Sequence, residues 1–159
     1  MDGLSANNRK QPSKSSSRSN IVKWLILALQ LVLAGIFLWS AVSKFMDIFT
    51  FGEILRSYKL LPDVLIKPLA ILLPIAEFFV GVGLLIRPVV NYAAWGVIVL
   101  SLTFAVGLLF NYGEVLPYGC GCFGPEDAAA VGIWDVGKDV LFIALAALLL
   151  ILNRKKALA

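Results

Sequence analysis

The chain of 159 residues contains no histidine, only two cysteines, and few charges: Asp, Glu, Lys and Arg make up 15% of it. The absent histidine removes the commonest nitrogen ligand for a metal and the commonest proton shuttle near neutral pH. A Ser-His-Asp set is therefore excluded, and no phosphate-binding loop or hydrolase-type carboxylate pair is visible. Gly81-x-Gly83 is too little to mark a nucleotide site. The scarcity of charge argues against an ordinary soluble domain. Sixty per cent of residues are hydrophobic and the mean hydropathy is +0.88, which is membrane composition. The net charge of +4 is concentrated at the two ends, beside apolar runs. That placement fits an anionic membrane surface, and no nucleic-acid partner is expected.

Four apolar segments are present: about Ile21 to Ser43, Leu69 to Ile86, Val89 to Phe110 and Val136 to Leu152. Each approaches the ~17–25 residues that span hydrocarbon as a helix. Helices satisfy their own backbone where lipid offers no partner. The first run is too long for the ~7–15-residue core of a signal peptide, so an uncleaved span is expected. The predicted fold is all-α: a four-helix transmembrane bundle with a short amphipathic interfacial helix between spans one and two. Residues 1–20 form a polar, Ser-rich tail expected to be disordered. Residues 21–153 form the four-span membrane domain, and residues 154–159 a basic tail.

Orientation follows from the basic residues. Nine lie on the side of the termini: Arg9, Lys10, Lys14, Arg18, Lys23, Arg87, Arg154, Lys155 and Lys156. Five lie opposite: Lys44, Arg56, Lys59, Lys67 and Lys138. Positive-inside bias then puts both termini in the cytoplasm and the loop between spans three and four outside. In the first outer loop, Thr50 and Glu53 have capping-box spacing and would start a short helix. Phe51, Ile54, Leu55 and Tyr58 share one face of it, and Pro62 ends the pattern. That face suits either the membrane interface or packing against the bundle. Trp24, Trp39, Trp95 and Trp134 fit an aromatic belt.

Cys120 and Cys122 lie in the loop Tyr118-Gly119-Cys120-Gly121-Cys122-Phe123-Gly124, between the last two spans. A zinc site would be two ligands short; copper(I) accepts two sulfurs, but a metal is the weaker reading. A structural disulfide normally closes a long loop, and a bridge across one residue constrains almost nothing. Such a ring is strained and readily reduced, which favours a redox-active pair. Gly119, Gly121 and Gly124 permit the backbone angles that turn sulfurs together, though glycine-rich loops are also ordinary turns. Glu114, Glu126, Asp127 and Asp135 disfavour a thiolate here, while Lys138 and the start of the fourth helix favour one.

Glu77 lies midway along the second span, where a carboxylate is expensive and marks function by default. Ala70, Pro74 and Gly81 share its face, so that face is expected to point into the bundle. Lys44 closes span one and Asp139 opens span four, both toward the outer side. They either pair within a network with Glu77 or snorkel at the interface.

These residues resemble the methylamine utilisation protein MauE family, a branch of the DoxX-like small membrane proteins. The resemblance runs from about Phe37 to Leu152. It is carried by Ala41-Val42-Ser43-Lys44, Tyr58-Lys59-Leu60-Leu61-Pro62, Leu73-Pro74-Ile75-Ala76-Glu77-Phe78-Phe79-Val80-Gly81, Gly119-Cys120-Gly121-Cys122-Phe123-Gly124, and Trp134 with Lys138-Asp139. Tyr118 stands where such families carry an acid before the Gly-Cys pair. The resemblance implies a multi-pass membrane protein that makes or maintains disulfides in exported partners, as in methylamine metabolism.

The expected function is thiol–disulfide exchange with an exported or thioredoxin-like protein. Cys120 and Cys122 are the catalytic candidates, with Lys44, Glu77 and Asp139 supporting. No cofactor is evident, although a membrane quinone suits the electron balance. The alternative is a non-enzymatic membrane subunit or small-molecule carrier with a structural cysteine loop.

Overall fold

The structure, a computed structural model, describes residues 14–119, 121 and 129–158. Among these residues the chain is all-helical apart from one very short pair of strands. The elements are α1 (Lys14–Met46), α2 (Ile48–Ser57), α3 (Asp63–Leu85), α4 (Val90–Phe110), β1 (Val115–Leu116), β2 (Ala129–Ala130) and α5 (Ile133–Leu158). Helix α1 begins ahead of the expected start at Ile21 and overlaps the segment read as a polar tail. Helix α3 also starts earlier than the expected Leu69, directly after Pro62, which presets an extended entry.

Among the described residues, three helices are long and apolar enough to cross a membrane: Asn20–Met46, Asp63–Leu85 and Val90–Phe110. No more than 39% of the most apolar stretch in any of them is buried inside the molecule. The remainder turns residues such as Trp39, Phe79, Leu102 and Phe110 outward. A surface this apolar is matched by a lipid bilayer, and the chain is a membrane protein.

The long helices pack α1 against α3 and α5, and α4 against α5 and α3. Helices α1 and α3 approach closely at Gly81. A Cβ there would stand 2.8 Å from Leu38 Cγ and 3.3 Å from the Leu38 backbone nitrogen. Two apolar clusters fill the bundle. One gathers Leu33, Phe37, Leu84, Val97 and Leu149 from α1, α3, α4 and α5. The other gathers Phe51, Ile54, Tyr58, Ala70, Leu108 and Leu116 around α2.

Helix α2 does not start at the expected Thr50–Glu53 box. Asp47 is its N-cap, and the carboxylate accepts from the Thr50 backbone N–H at 3.0 Å. The chain breaks at Asp47 (φ −137°, ψ 68°), so the cap falls three residues earlier than Thr50. The predicted face of Phe51, Ile54, Leu55 and Tyr58 is buried, each at 6% exposure or less. It packs on the bundle, whereas Phe49 on the opposite face is 87% exposed. The helix ends before Pro62 because Lys59 takes the left-handed conformation (φ 53°).

Candidate functional site

Between the two apolar clusters lies a set of buried polar side chains. Lys44 is 0%, Glu77 2%, Ser101 2%, Asp139 4% and Ser40 6% exposed. The Lys44 ammonium donates to Glu77 Oε1 at 2.5 Å and to Ser40 Oγ at 2.9 Å. Ser40 Oγ donates to Glu77 Oε2 at 3.0 Å. Both carboxylate oxygens of Glu77 are thus held from α1. The helical repeat explains the arrangement: Ser40 and Lys44 are four residues apart and share one face. Across from them, Ala70, Pro74, Glu77 and Gly81 are all buried along α3, as the small-residue face predicted.

The ammonium also lies over two aromatic faces, 4.6 Å from the Phe104 ring centroid and 5.3 Å from that of Phe51. Phe104 comes from α4 and Phe51 from α2. Ring quadrupoles stabilise a cation that water cannot reach. The snorkelling alternative therefore fails for Lys44, and burial likewise removes Asp139 from the interface. Among the described residues Asp139 forms no ion pair with Lys44; its Oδ2, like Ser101 Oγ, is buried with no hydrogen-bond partner among them. Both residues, with Ser40 and Glu77, line a cavity of about 20 Å³ closed by Phe37, Phe104 and Phe142. A cavity of that size with several polar walls has room for one water.

Cys120 and Cys122 lie outside the described residues, as do Glu126 and Asp127. What surrounds them is described. Strands β1 and β2 pair antiparallel, Val115 opposite Ala130 and Leu116 opposite Ala129. Gly113 N–H donates to Val131 O and Val131 N–H to Glu114 O, both at 3.0 Å. This ladder closes the base of the cysteine loop, and Leu116 and Val131 anchor it in the α2 cluster. The turn-rich loop expected here thus has a two-stranded neck, too short to show as an alternating pattern. Gly121, between the cysteines, has φ +68°, and a Cβ there would fall 2.8 Å from Ile54 Cγ2. Only glycine fits both the angle and the approach. Gly121 is therefore seated on α2, the helix whose Phe51 covers Lys44.

Lys138, expected to favour a thiolate, donates to Asp135 Oδ1 at 3.1 Å. Asp135 Oδ2 also accepts from Gly132 N–H at 3.0 Å, at the start of α5. Sequence reasoning missed Ser40, Ser101, Phe51 and Phe104 as parts of the polar site. Ser40 was signalled by its spacing from Lys44. Phe51 was legible only as part of the apolar face of α2, and Phe104 carried no signal, because aromatics are ordinary core residues.

The profile described as methylamine utilisation protein MauE matches residues 22–152. The methylamine utilization protein MauE of Paracoccus denitrificans is 35% identical over 101 residues, 62% of this chain and 54% of that protein. That of Paracoccus versutus is 34% identical over 130 residues, 79% of this chain and 67% of that protein. The chain thus spans little more than half of the first relative and about two thirds of the second. No solved structure matches. The family profile covers the helices that hold Lys44, Glu77 and Asp139, together with Gly121 where it meets α2, and this chain belongs to the MauE family.

Proposed function

We propose that the protein carries out thiol–disulfide exchange through Cys120 and Cys122, with an exported or thioredoxin-like protein as partner. The observation that carries the reading is the seat of Gly121 on Ile54. It places the residue between the two cysteines on the helix that roofs the buried Lys44–Glu77 pair. A bridge across a single glycine is strained, and strained bridges exchange readily. A thiolate of one partner attacks a sulfur of the other's disulfide, and a mixed disulfide forms. The second thiol of the attacking pair then releases the bond. Two electrons and two protons pass from the dithiol that is oxidised to the disulfide that is reduced.

In this reading α5 is the fourth span, alongside the three apolar helices. Both termini lie in the cytoplasm and the loop faces outward, as the distribution of basic residues favours. The outer face of α2 lies at the membrane interface. Lys44, Glu77 and Asp139 position the loop from below and hold protons close to it. A lipid-soluble quinone suits the role of electron partner for a protein within the bilayer; none of the residues here is assigned to hold it. The related proteins are named for methylamine utilisation, and an exported protein of such a pathway is one substrate class to test.

Membranes are treated with an alkylating maleimide after exposure to oxidant or reductant, and the two thiols are counted by mass shift. The pair is expected to change state, and Cys120→Ser and Cys122→Ser each to abolish exchange. One of the single-cysteine variants should also accumulate a mixed disulfide with its partner. A pair that never changes state, or full activity in the double serine variant, sinks the reading in favour of a non-enzymatic membrane subunit.

A further inference from the structure

At the end of the bundle away from the Lys44–Glu77 pair, α1, α4 and α5 enclose an open groove of about 730 Å³. Lys23 of α1 and Arg87 of the α3–α4 link both line it, although they are far apart in sequence. Both are exposed. Among the described residues neither forms an ion pair, and no acidic side chain is among the lining residues. Asn153 Nδ2 donates to Asn91 Oδ1 at 3.1 Å, which ties α5 to α4 at the groove.

The backbone adds to the positive character. Helix α4 meets the groove with its first residues, Val90 and Asn91. Its N-cap Val89 supplies no side-chain hydrogen bond, and no acid lies in the first turn. Uncapped N–H groups and the positive end of the helix dipole are therefore presented there. One wall is apolar, formed by Ile26 and by Trp24, which is 71% exposed. Trp at this position is a headgroup-level anchor.

A free inorganic anion would use the two cations and leave the apolar wall in water. A zwitterionic lipid would bring a second positive charge against Lys23 and Arg87. An amphiphile with an anionic head satisfies both surfaces. We infer that this groove binds an anionic phospholipid, its phosphate between Lys23 and Arg87 and its upper acyl chain along Ile26 and Trp24. Basic pockets between helices at a membrane face recognise such headgroups.

Full-length protein in mild detergent is titrated with phosphatidylglycerol and with phosphatidylcholine of the same acyl chains, and adducts are read by native mass spectrometry. Phosphatidylglycerol is expected to bind preferentially. Lys23→Gln/Arg87→Gln should weaken it roughly 30-fold, since each surface cation contributes on the order of 1 kcal/mol. Lys23→Arg/Arg87→Lys should keep it. Lys59→Gln/Lys67→Gln, which removes two charges elsewhere, should leave it unchanged. Equal binding of the two lipids overturns the inference, even if the glutamine variant fails to fold. So does an equal loss in the Lys59/Lys67 variant, which would mean diffuse attraction. Displacement by equimolar inorganic phosphate overturns it as well, because the groove would then select a free anion.

Discussion

Lys44 and Glu77 are 33 residues apart and meet only because α1 and α3 pack side by side. Removing one partner of such a pair strands a buried charge, whereas replacing both by apolar groups need not. Glu77→Gln and Lys44→Met are each expected to destabilise the protein by roughly 3–5 kcal/mol. The double variant Lys44→Met/Glu77→Leu should recover much of that loss. Thermal melts in detergent, followed by tryptophan fluorescence, check this; an additive double variant would mean that the two side chains are not coupled. Gly121 supports a second prediction. Gly121→Ala forces a left-handed angle on alanine, at about 1–3 kcal/mol, and drives a methyl into Ile54. In an Ile54→Ala background the steric part of that cost should vanish and the angle's part remain. A double-mutant cycle on loop protection from protease separates them. The acidic and basic members of this site were legible, because ionisable groups within apolar runs stand out. Ser101 and the two phenylalanines were not, since their role depends on which helix lies opposite.

At the scale of elements, α2 starts earlier than its spacing predicts. The Thr50–Glu53 spacing is a genuine cap pattern, but Asp47 takes the role because the chain turns at that residue. The Thr50 hydroxyl, and then its backbone amide, hold the Asp47 carboxyl below its ordinary value of 3.8. A lowered folded-state pKa means that the cap's contribution is present above that ordinary value. It is lost as the pH falls through the lowered one. Hydrogen exchange at the first amides of α2, corrected for intrinsic rates, should therefore accelerate in acid below about pH 4. In Asp47→Asn the same amides should show no such step, and in Asp47→Ala they should be poorly protected at every pH. A wild-type profile without the acid step would remove Asp47 as the cap. The long helices needed no such detail. Apolar runs of that length have one solution in lipid, so α4 begins within a residue of the expected position and ends at the expected Phe110.

For the molecule as a whole, the lateral order of the helices sets what the loop meets. The proposed orientation predicts that alkaline phosphatase inserted in place of residues 124–128 is active in intact cells. A fluorescent protein fused after Ala159 should fluoresce in the cytoplasm. The reverse pattern would place the loop inside and end the case for exchange with exported partners. If α5 is the fourth span, a single cysteine at Trp134 should react with an impermeant maleimide added from outside. One at Lys155 should react only after lysis. These substitutions are made in a Cys120→Ser/Cys122→Ser background, so that only the new thiol reports.

Composition and spacing alone determined that the chain lives in a bilayer, roughly which segments are helical, and that ionisable residues such as Lys44, Glu77 and Asp139 stand out within or beside apolar runs. Those are properties of single segments: hydrophobic length, helical face and rare residue type can be read without knowing any neighbour. Only the tertiary structure decided that Glu77 rather than Asp139 receives the Lys44 ammonium, that two phenylalanines from other helices cover it, and that Gly121 is seated on Ile54. Those facts belong to pairs of segments. Between apolar helices of similar composition, close packing selects the partner, and packing depends on shape across an interface that no single stretch of sequence contains.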